Sequence, residues 1–165
     1  MPSDFSRLLS RLSSSDADSR ARAAEQLAQR GPGARPAAVA LVLACGDEAE
    51  DVRQWAKAAL EGMGPPEASD GGQLASFLEG RSPDVGYWAA TLLGRLKAKA
   101  APAVAALTRA VAGSPHPPVR QRAAWALGKI GPAAAPALGA LKQAAAGGDP
   151  RLARLAQRAV EQIGG

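Results

Sequence analysis

The sequence predicts an all-α protein, an α-solenoid of five stacked helix pairs, and three observations carry that expectation. First, the 165-residue chain repeats itself: Leu27, Leu60, Leu93, Leu127 and Val160 fall in one column, at spacings of 33, 33, 34 and 33. The same register aligns Ala23, Ala56, Ala89, Ala123 and Ala156, then Ser19, Val52, Val85, Val119 and Leu152, then Arg30, Met63, Leu96, Ile130 and Ile163. Second, another set lies half a period away. It runs Leu8, Leu41, Leu74, Leu107 and Leu141, followed four residues on by Leu12, Cys45, Leu78, Val111 and Ala145, so each repeat holds two apolar stripes. Third, the columns of the second stripe step i, i+4, i+8, i+11, as in Val119, Ala123, Leu127 and Ile130. That is one face of a helix and not the alternation of a strand.

The repeats run approximately 1–33, 34–66, 67–99, 100–132 and 133–165, and together they make one repeat domain, 1–165. In chain order the first helices are expected at 4–13, 35–45, 72–80, 101–112 and 135–146. The second helices are expected at 18–30, 51–63, 84–97, 117–130 and 150–163. Pro36, Pro102 and Pro136 stand at the start of first helices, where a missing N–H costs nothing. Gly31, Gly64, Gly131 and Gly164 follow the second helices, where glycine closes a helix cheaply. A single pair cannot bury both of its stripes, so neighbours stack into a shared core. Alanine at the centre of the second helices lets backbones approach closely, which makes a dense interior from only 4% aromatic residues. The ends are the more polar repeats, with Arg20, Arg22, Glu25, Gln29 and Arg30 first and Arg151, Arg154, Gln157, Arg158 and Glu161 last. They read as caps of a complete solenoid.

Composition narrows the chemistry. At 47% hydrophobic and 21% charged the chain is neither disordered nor fibrous. One cysteine, Cys45, and one histidine, His116, allow no internal disulfide and no His/Cys metal cluster, and they suit a reducing, cytoplasmic setting. Cys45 shares a column with Leu78 and Val111, so it reads as a core side chain; His116 falls in the turn Ser114-Pro115-His116-Pro117-Pro118. No phosphate-binding loop and no dinucleotide fingerprint appear, and no cofactor, metal or catalytic residue is expected. The longest apolar run, Ala37 to Cys45, falls far short of the ~20 residues that span a bilayer, so no membrane insertion is expected. The N-terminus shows no secretory signal.

Asp51-Val52-Arg53-Gln54-Trp55-Ala56-Lys57-Ala58-Ala59-Leu60 and Pro118-Val119-Arg120-Gln121-Arg122-Ala123-Ala124-Trp125-Ala126-Leu127-Gly128-Lys129-Ile130-Gly131 resemble the second helix of HEAT-like repeats of the PBS-lyase type. The resemblance implies an Asp–Arg ladder along the solenoid, filled here by Asp18, Asp51 and Asp84 with Arg20, Arg53 and Arg120. Gly86 and Ala153 replace arginine in the third and fifth repeats, so the ladder is broken. The Gly- and Pro-rich segment Gly62 to Gly72 marks the expected irregularity. The resemblance also implies that second helices line a concave binding face.

Two positions after the Val column stand Ala21, Gln54, Tyr87, Gln121 and Arg154; six after it stand Glu25, Ala58, Thr91, Trp125 and Arg158. Both columns point away from the core at about 100° per residue. Three after it, on the flank, stand Arg22, Trp55, Trp88, Arg122 and Leu155. All three tryptophans and the one tyrosine fall here, beside arginines, which is the composition of a binding hot spot. The expected partner site is therefore Tyr87, Trp88, Trp125, Trp55, Arg22, Gln54, Gln121, Arg122, Arg154 and Arg158, holding a protein. On the flank, Trp55 and Trp88 read equally as wedges between second helices. A net charge of +5 supports a second reading, in which nucleic acid lies with its phosphates on Arg22, Arg122, Arg154, Arg158 and Lys129 and its bases on the aromatic rings. An enzyme like a bilin lyase or a DNA glycosylase is the weakest reading. The glycosylase comparison asks for a concave acid beside Trp, and Glu25, Glu61 and Glu161 are scattered across separate repeats.

Overall fold

The computed structural model describes residues 2–165, and among them there are ten α-helices and no strand. The helices pair as α1 (Asp4–Leu12) with α2 (Ala17–Gln29), α3 (Ala38–Ala44) with α4 (Glu50–Gly62), and α5 (Gly71–Ser76) with α6 (Pro83–Arg95). The last pairs are α7 (Val104–Gly113) with α8 (Pro117–Ile130) and α9 (Leu138–Ala145) with α10 (Pro150–Gly164). The chain divides into two compact units, Met1–Glu67 and Ala68–Gly165, and the division falls inside the Gly62–Gly72 segment. In the first unit α2 lies on α4, with α1 and α3 packed against them. In the second, α6, α8 and α10 lie side by side and α5, α7 and α9 form the other layer. The repeat columns make the core: Leu27, Leu60, Leu93 and Leu127 are fully buried, as are Leu41, Leu74, Leu107 and Leu141. No helix among the described residues is long and apolar enough to cross a membrane.

Each second helix starts at an equivalent position, Asp16, Ala49, Ser82, His116 and Asp149. Asp16, Ser82 and Asp149 cap their helices with side-chain oxygens. Ala49 and His116 do not, and there the residue two positions back takes up the backbone: Asp47 Oδ1 accepts from the Ala49 N–H at 2.9 Å and Ser114 Oγ from the His116 N–H at 3.3 Å.

The first helices of three repeats begin later than the sequence implies. Two consecutive 3₁₀ turns precede them, Gly31–Ala37, Lys97–Ala103 and Gly131–Ala137, and Pro36, Pro102 and Pro136 lie inside these turns rather than in a first α-helical turn. The burial pattern accords with these turns. Ala34 and Ala37, Ala100 and Ala103, and Ala134 and Ala137 are buried three residues apart, the period of a 3₁₀ helix. Each set of turns opens with a positive φ, at Gly31 (50°), Lys97 (54°) and Gly131 (79°). Lys97 occupies the glycine column, a conformation unfavourable for a residue with a Cβ. Gly164 adopts no positive φ and belongs to α10.

The expected Asp–Arg ladder is made differently. Arg20, read from the sequence as part of a polar cap, is only 8% exposed. Its guanidinium grips Asp47 with two hydrogen bonds, Nε to Oδ2 at 2.8 Å and Nη2 to Oδ1 at 3.0 Å, while Nη1 donates to the Ser14 carbonyl at 2.8 Å. The acid that pairs with it therefore comes from the loop before α4, not from Asp18 or Asp51, both of which are exposed. The reason is geometric: an arginine in the first turn of α2 lies beside the loop entering the next second helix. Arg53 turns instead to its own loop, donating to the Asp47 and Glu48 carbonyls at 2.7 and 2.9 Å. Arg120 donates to the Val111 carbonyl at 3.0 Å. In the second unit Gln121 makes the inter-repeat tie, its amide on Asp149 Oδ2 at 3.0 Å.

Two outcomes follow. Replacing Lys97→Gly raises stability by about 0.5–1 kcal/mol, the positive-φ penalty less the extra freedom of glycine in the unfolded chain, measured by urea unfolding. Asp47 is held below its ordinary carboxylate value of 3.8, chiefly by the Arg20 hydrogen bond. A depressed folded-state value means that its contribution is complete above the ordinary carboxylate range and is lost as pH falls below it. Urea midpoints should therefore put Asp47→Asn below wild type at pH 7, with the gap closing toward pH 2.

Candidate functional site

The second helices of the second unit approach one another closely because small residues face the next helix. A Cβ on Gly86 would stand 2.9 Å from Val119 Cγ2. One on Gly94 would stand 2.3 Å from Trp125 Cζ3 and 3.1 Å from Ala126 Cα, and one on Gly128 would stand 3.1 Å from Ala159 Cα. Four residues apart on α6, Gly86, Ala90 and Gly94 thus form one stripe against α8. This approach decides where the sequence-derived site residues go.

Trp125 lies across Gly94 and is half-buried between α6 and α8. Arg122 stands over its ring, with Cζ 3.9 Å from the centroid, and lies 5.2 Å from the Tyr87 ring centroid. Its Nε donates to Thr91 Oγ1 at 2.8 Å, and Thr91 donates in turn to the Tyr87 carbonyl at 2.8 Å. One guanidinium is thus fixed by two rings and a hydroxyl, all drawn from α6 and α8. Burial, and after it the charge of nearby Arg151, works against its protonation, with Tyr87 opposing, and the net effect lowers its pKa. It nonetheless stays charged near neutrality.

The other expected residues separate into groups. Trp88 is 7% exposed and edge-on to Tyr87 at 5.7 Å, with Arg95 5.7 Å from its ring. It is buried and offers little surface to a partner. Thr91, in an outward column, is fully buried because α8 comes close on its side of α6 and brings Arg122 onto its hydroxyl. The Gln121 amide is engaged by Asp149. On α10, Arg154 and Arg158 are exposed and, with Arg151 and Leu155, line a shallow cleft. Arg22 on α2 and Gln54 and Trp55 on α4 are exposed on the first unit, Trp55 at 39%. Sequence reasoning missed Thr91 as the anchor of Arg122, and it missed Arg151. The signal for Thr91 was the glycine stripe beside it.

Elsewhere, Cys45 is fully buried, with Sγ 3.4 Å from the Leu41 carbonyl, and His116 is half-exposed at the start of α8. Glu61 and Glu161 are exposed on different units. Among the described residues no three His, Cys, Asp or Glu side chains gather as a metal site.

Side-by-side second helices over a second helical layer, joined by inter-repeat ties, define a helical-repeat protein of the α-solenoid class. A family profile for HEAT repeats matches residues 73–161, and the chain belongs to that family. Among solved structures it resembles a chain from the complex of CpcE and CpcF of phycocyanin lyase from Nostoc sp. PCC7120. That chain is 27% identical at a TM-score of 0.66, over 99% of this chain and 66% of that one. It also resembles a designed armadillo repeat protein in complex with the peptide (KR)4, at 18% identity and a TM-score of 0.66, over 98% and 82% of the two chains. A third likeness is to an engineered protein, at 24% identity and a TM-score of 0.62, covering 96% of this chain and 47% of that one. The chain thus spans about half of that engineered protein. No match to the chain is found among curated proteins.

The Gly94 contact gives a direct test. Gly94→Val should overpack against Trp125 and destabilise the fold by about 1–3 kcal/mol, read as a lower urea midpoint with tryptophan emission as the probe.

Proposed function

We propose that the chain is a non-catalytic HEAT-repeat scaffold that holds a protein partner on the second-helix face, with α6, α8 and α10 as its principal contact. The observation that carries this reading is the row Arg122, Arg151, Arg154 and Arg158, for which no ion pair exists among the described residues. Arg20, Arg30 and Arg109, by contrast, are paired with Asp47, Asp4 and Glu79. The α10 arginines are left to the outside. The five repeats of 1–165 are read as one scaffold, with Trp55, Gln54 and Arg22 as the partner-facing residues of the first unit. A cytoplasmic location belongs to the same reading.

Nucleic acid is the weaker partner. Base stacking needs open aromatic faces, whereas Trp125 has Arg122 3.9 Å and Lys129 5.8 Å from its centroid, Tyr87 faces Arg122, and Trp88 is buried.

Affinity capture from source lysate, with and without nuclease, compares wild type with Arg154→Glu/Arg158→Glu, whose exposed positions leave the core untouched. The expected outcome is a protein retained by wild type in both treatments and lost from the variant, while both proteins give the same helical circular dichroism. Retention that disappears with nuclease overturns the reading in favour of nucleic acid.

A further inference from the structure

The charge of the chain is not shared between its units. Met1–Glu67 carries 8 Lys and Arg against 10 Asp and Glu, a net −2, whereas Ala68–Gly165 carries 12 against 5, a net +7. Of the five acids in the second unit, Glu79 is bound to Arg109 at 2.9 Å, and Asp149 caps α10 and takes the Gln121 amide. The arginine face is therefore positive and poor in counter-ions of its own.

Within it Arg122 has the geometry of a receptor. A guanidinium offers five N–H donors in a planar fork. Here only Nε has a protein acceptor, Thr91 Oγ1, and the four donors on Nη1 and Nη2 have none. The planar group is already immobilised between Tyr87 and Trp125, so a ligand on its outer edge need not order a flexible side chain. Burial disfavours its charge, as does Arg151, and Tyr87 offsets them only in part with no carboxylate paired to it, so an incoming anion would relieve both. A planar pair of donors matches the two oxygens of a carboxylate.

Resting on the scaffold reading above, we infer that the partner presents an acidic peptide segment, one of whose carboxylates seats on the Nη1/Nη2 edge of Arg122 while neighbouring acids meet Arg151, Arg154 and Arg158. A peptide is favoured over a nucleic acid because Tyr87 and Trp125, the rings beside this arginine face, are engaged in holding Arg122. An exposed row of arginines along one helix suits successive acidic side chains of an extended chain.

The test uses the full chain and tryptophan-free octapeptides of glutamate with glycine, of lysine with glycine, and of serine with glycine, together with a single-stranded oligonucleotide of the same charge as the acidic peptide. Tryptophan emission is the readout, because a carboxylate on Arg122 alters the charge 3.9 Å from the Trp125 ring. The expected result is saturable binding of the acidic peptide alone among the peptides, weakening with salt, and a signal that Trp125→Phe removes. Arg122→Gln should weaken the peptide at least tenfold, and Arg122→Lys should not restore it, since a lysine is a single point charge without the planar fork. Arg154→Gln/Arg158→Gln, which disturbs no packing, should weaken it several-fold and keeps the inference testable if Arg122 variants unfold. Equal binding of acidic and neutral peptides, unchanged affinity in folded Arg122→Gln, or tighter binding of the oligonucleotide than of the acidic peptide overturns the inference. If a protein is still captured through α10 while the acidic peptide fails, this inference falls and the scaffold reading stands.

Discussion

The closeness of α6, α8 and α10 is the constraint from which the rest of the second unit follows. It is set by small residues spaced four apart on the second helices: Gly86, Ala90 and Gly94 on α6, and Ala124 and Gly128 on α8. Ala90 and Ala124 are fully buried, and Cβ atoms at Gly94 and Gly128 would stand 3.1 Å from the Cα atoms of Ala126 and Ala159. Helices at ordinary spacing leave room for side chains between them. Here glycine and alanine remove that room, and backbone packs nearly on backbone. The missing arginine at Gly86 takes its meaning from this stripe. Where Arg20 stands, a side chain and a loop acid hold one second helix to the next repeat; where Gly86 stands, Val119 packs directly on the helix.

That approach also builds the candidate site. Trp125 would be an exposed ring on an isolated α8, but α6 comes close enough for it to lie over Gly94. With the ring fixed there, Arg122 one turn earlier finds a flat apolar surface below it and the Thr91 hydroxyl beside it. Cation–π contact and a charge-assisted hydrogen bond then hold a guanidinium that has no carboxylate partner. The aromatic residues thus position the arginine more than they offer surface themselves. Sequence columns suggested the reverse order of importance.

The fold was legible because core columns repeat at a fixed period and need only hydrophobicity to be read. Leu27, Leu60, Leu93 and Leu127, for example, are all fully buried. Second-helix spans agree with the structure to within about two residues, since Asp16, Ser82 and Asp149 cap them and the core columns fill them. First helices were less legible. Alanine pairs such as Ala34 and Ala37 satisfy either a 3₁₀ turn or a nascent α-helix, and only the packing chooses between them. The site was legible as a composition and not as an arrangement. Helical angles placed Thr91 and Trp88 toward solvent or on the flank, because a single-helix projection contains no neighbouring helix. Arg20 was misread for the same reason: its partner, Asp47, lies 27 residues away in a loop.

The residues of this stripe differ from one second helix to the next. On α4, the last second helix of the first unit, its positions are Arg53, Lys57 and Glu61; on α10, the last of the second, they are Ala153, Gln157 and Glu161. Long polar side chains stand where α6 and α8 carry alanine and glycine, so neither helix offers the bare surface that Gly94 offers Trp125. Core columns run through all five repeats without interruption and therefore predict one continuous array. The stripe instead varies, from Arg53, Lys57 and Glu61 on α4 to Gly86, Ala90 and Gly94 on α6. A repeat protein's periodicity reports its core, and the size of the residues in this stripe reports how closely second helices can approach.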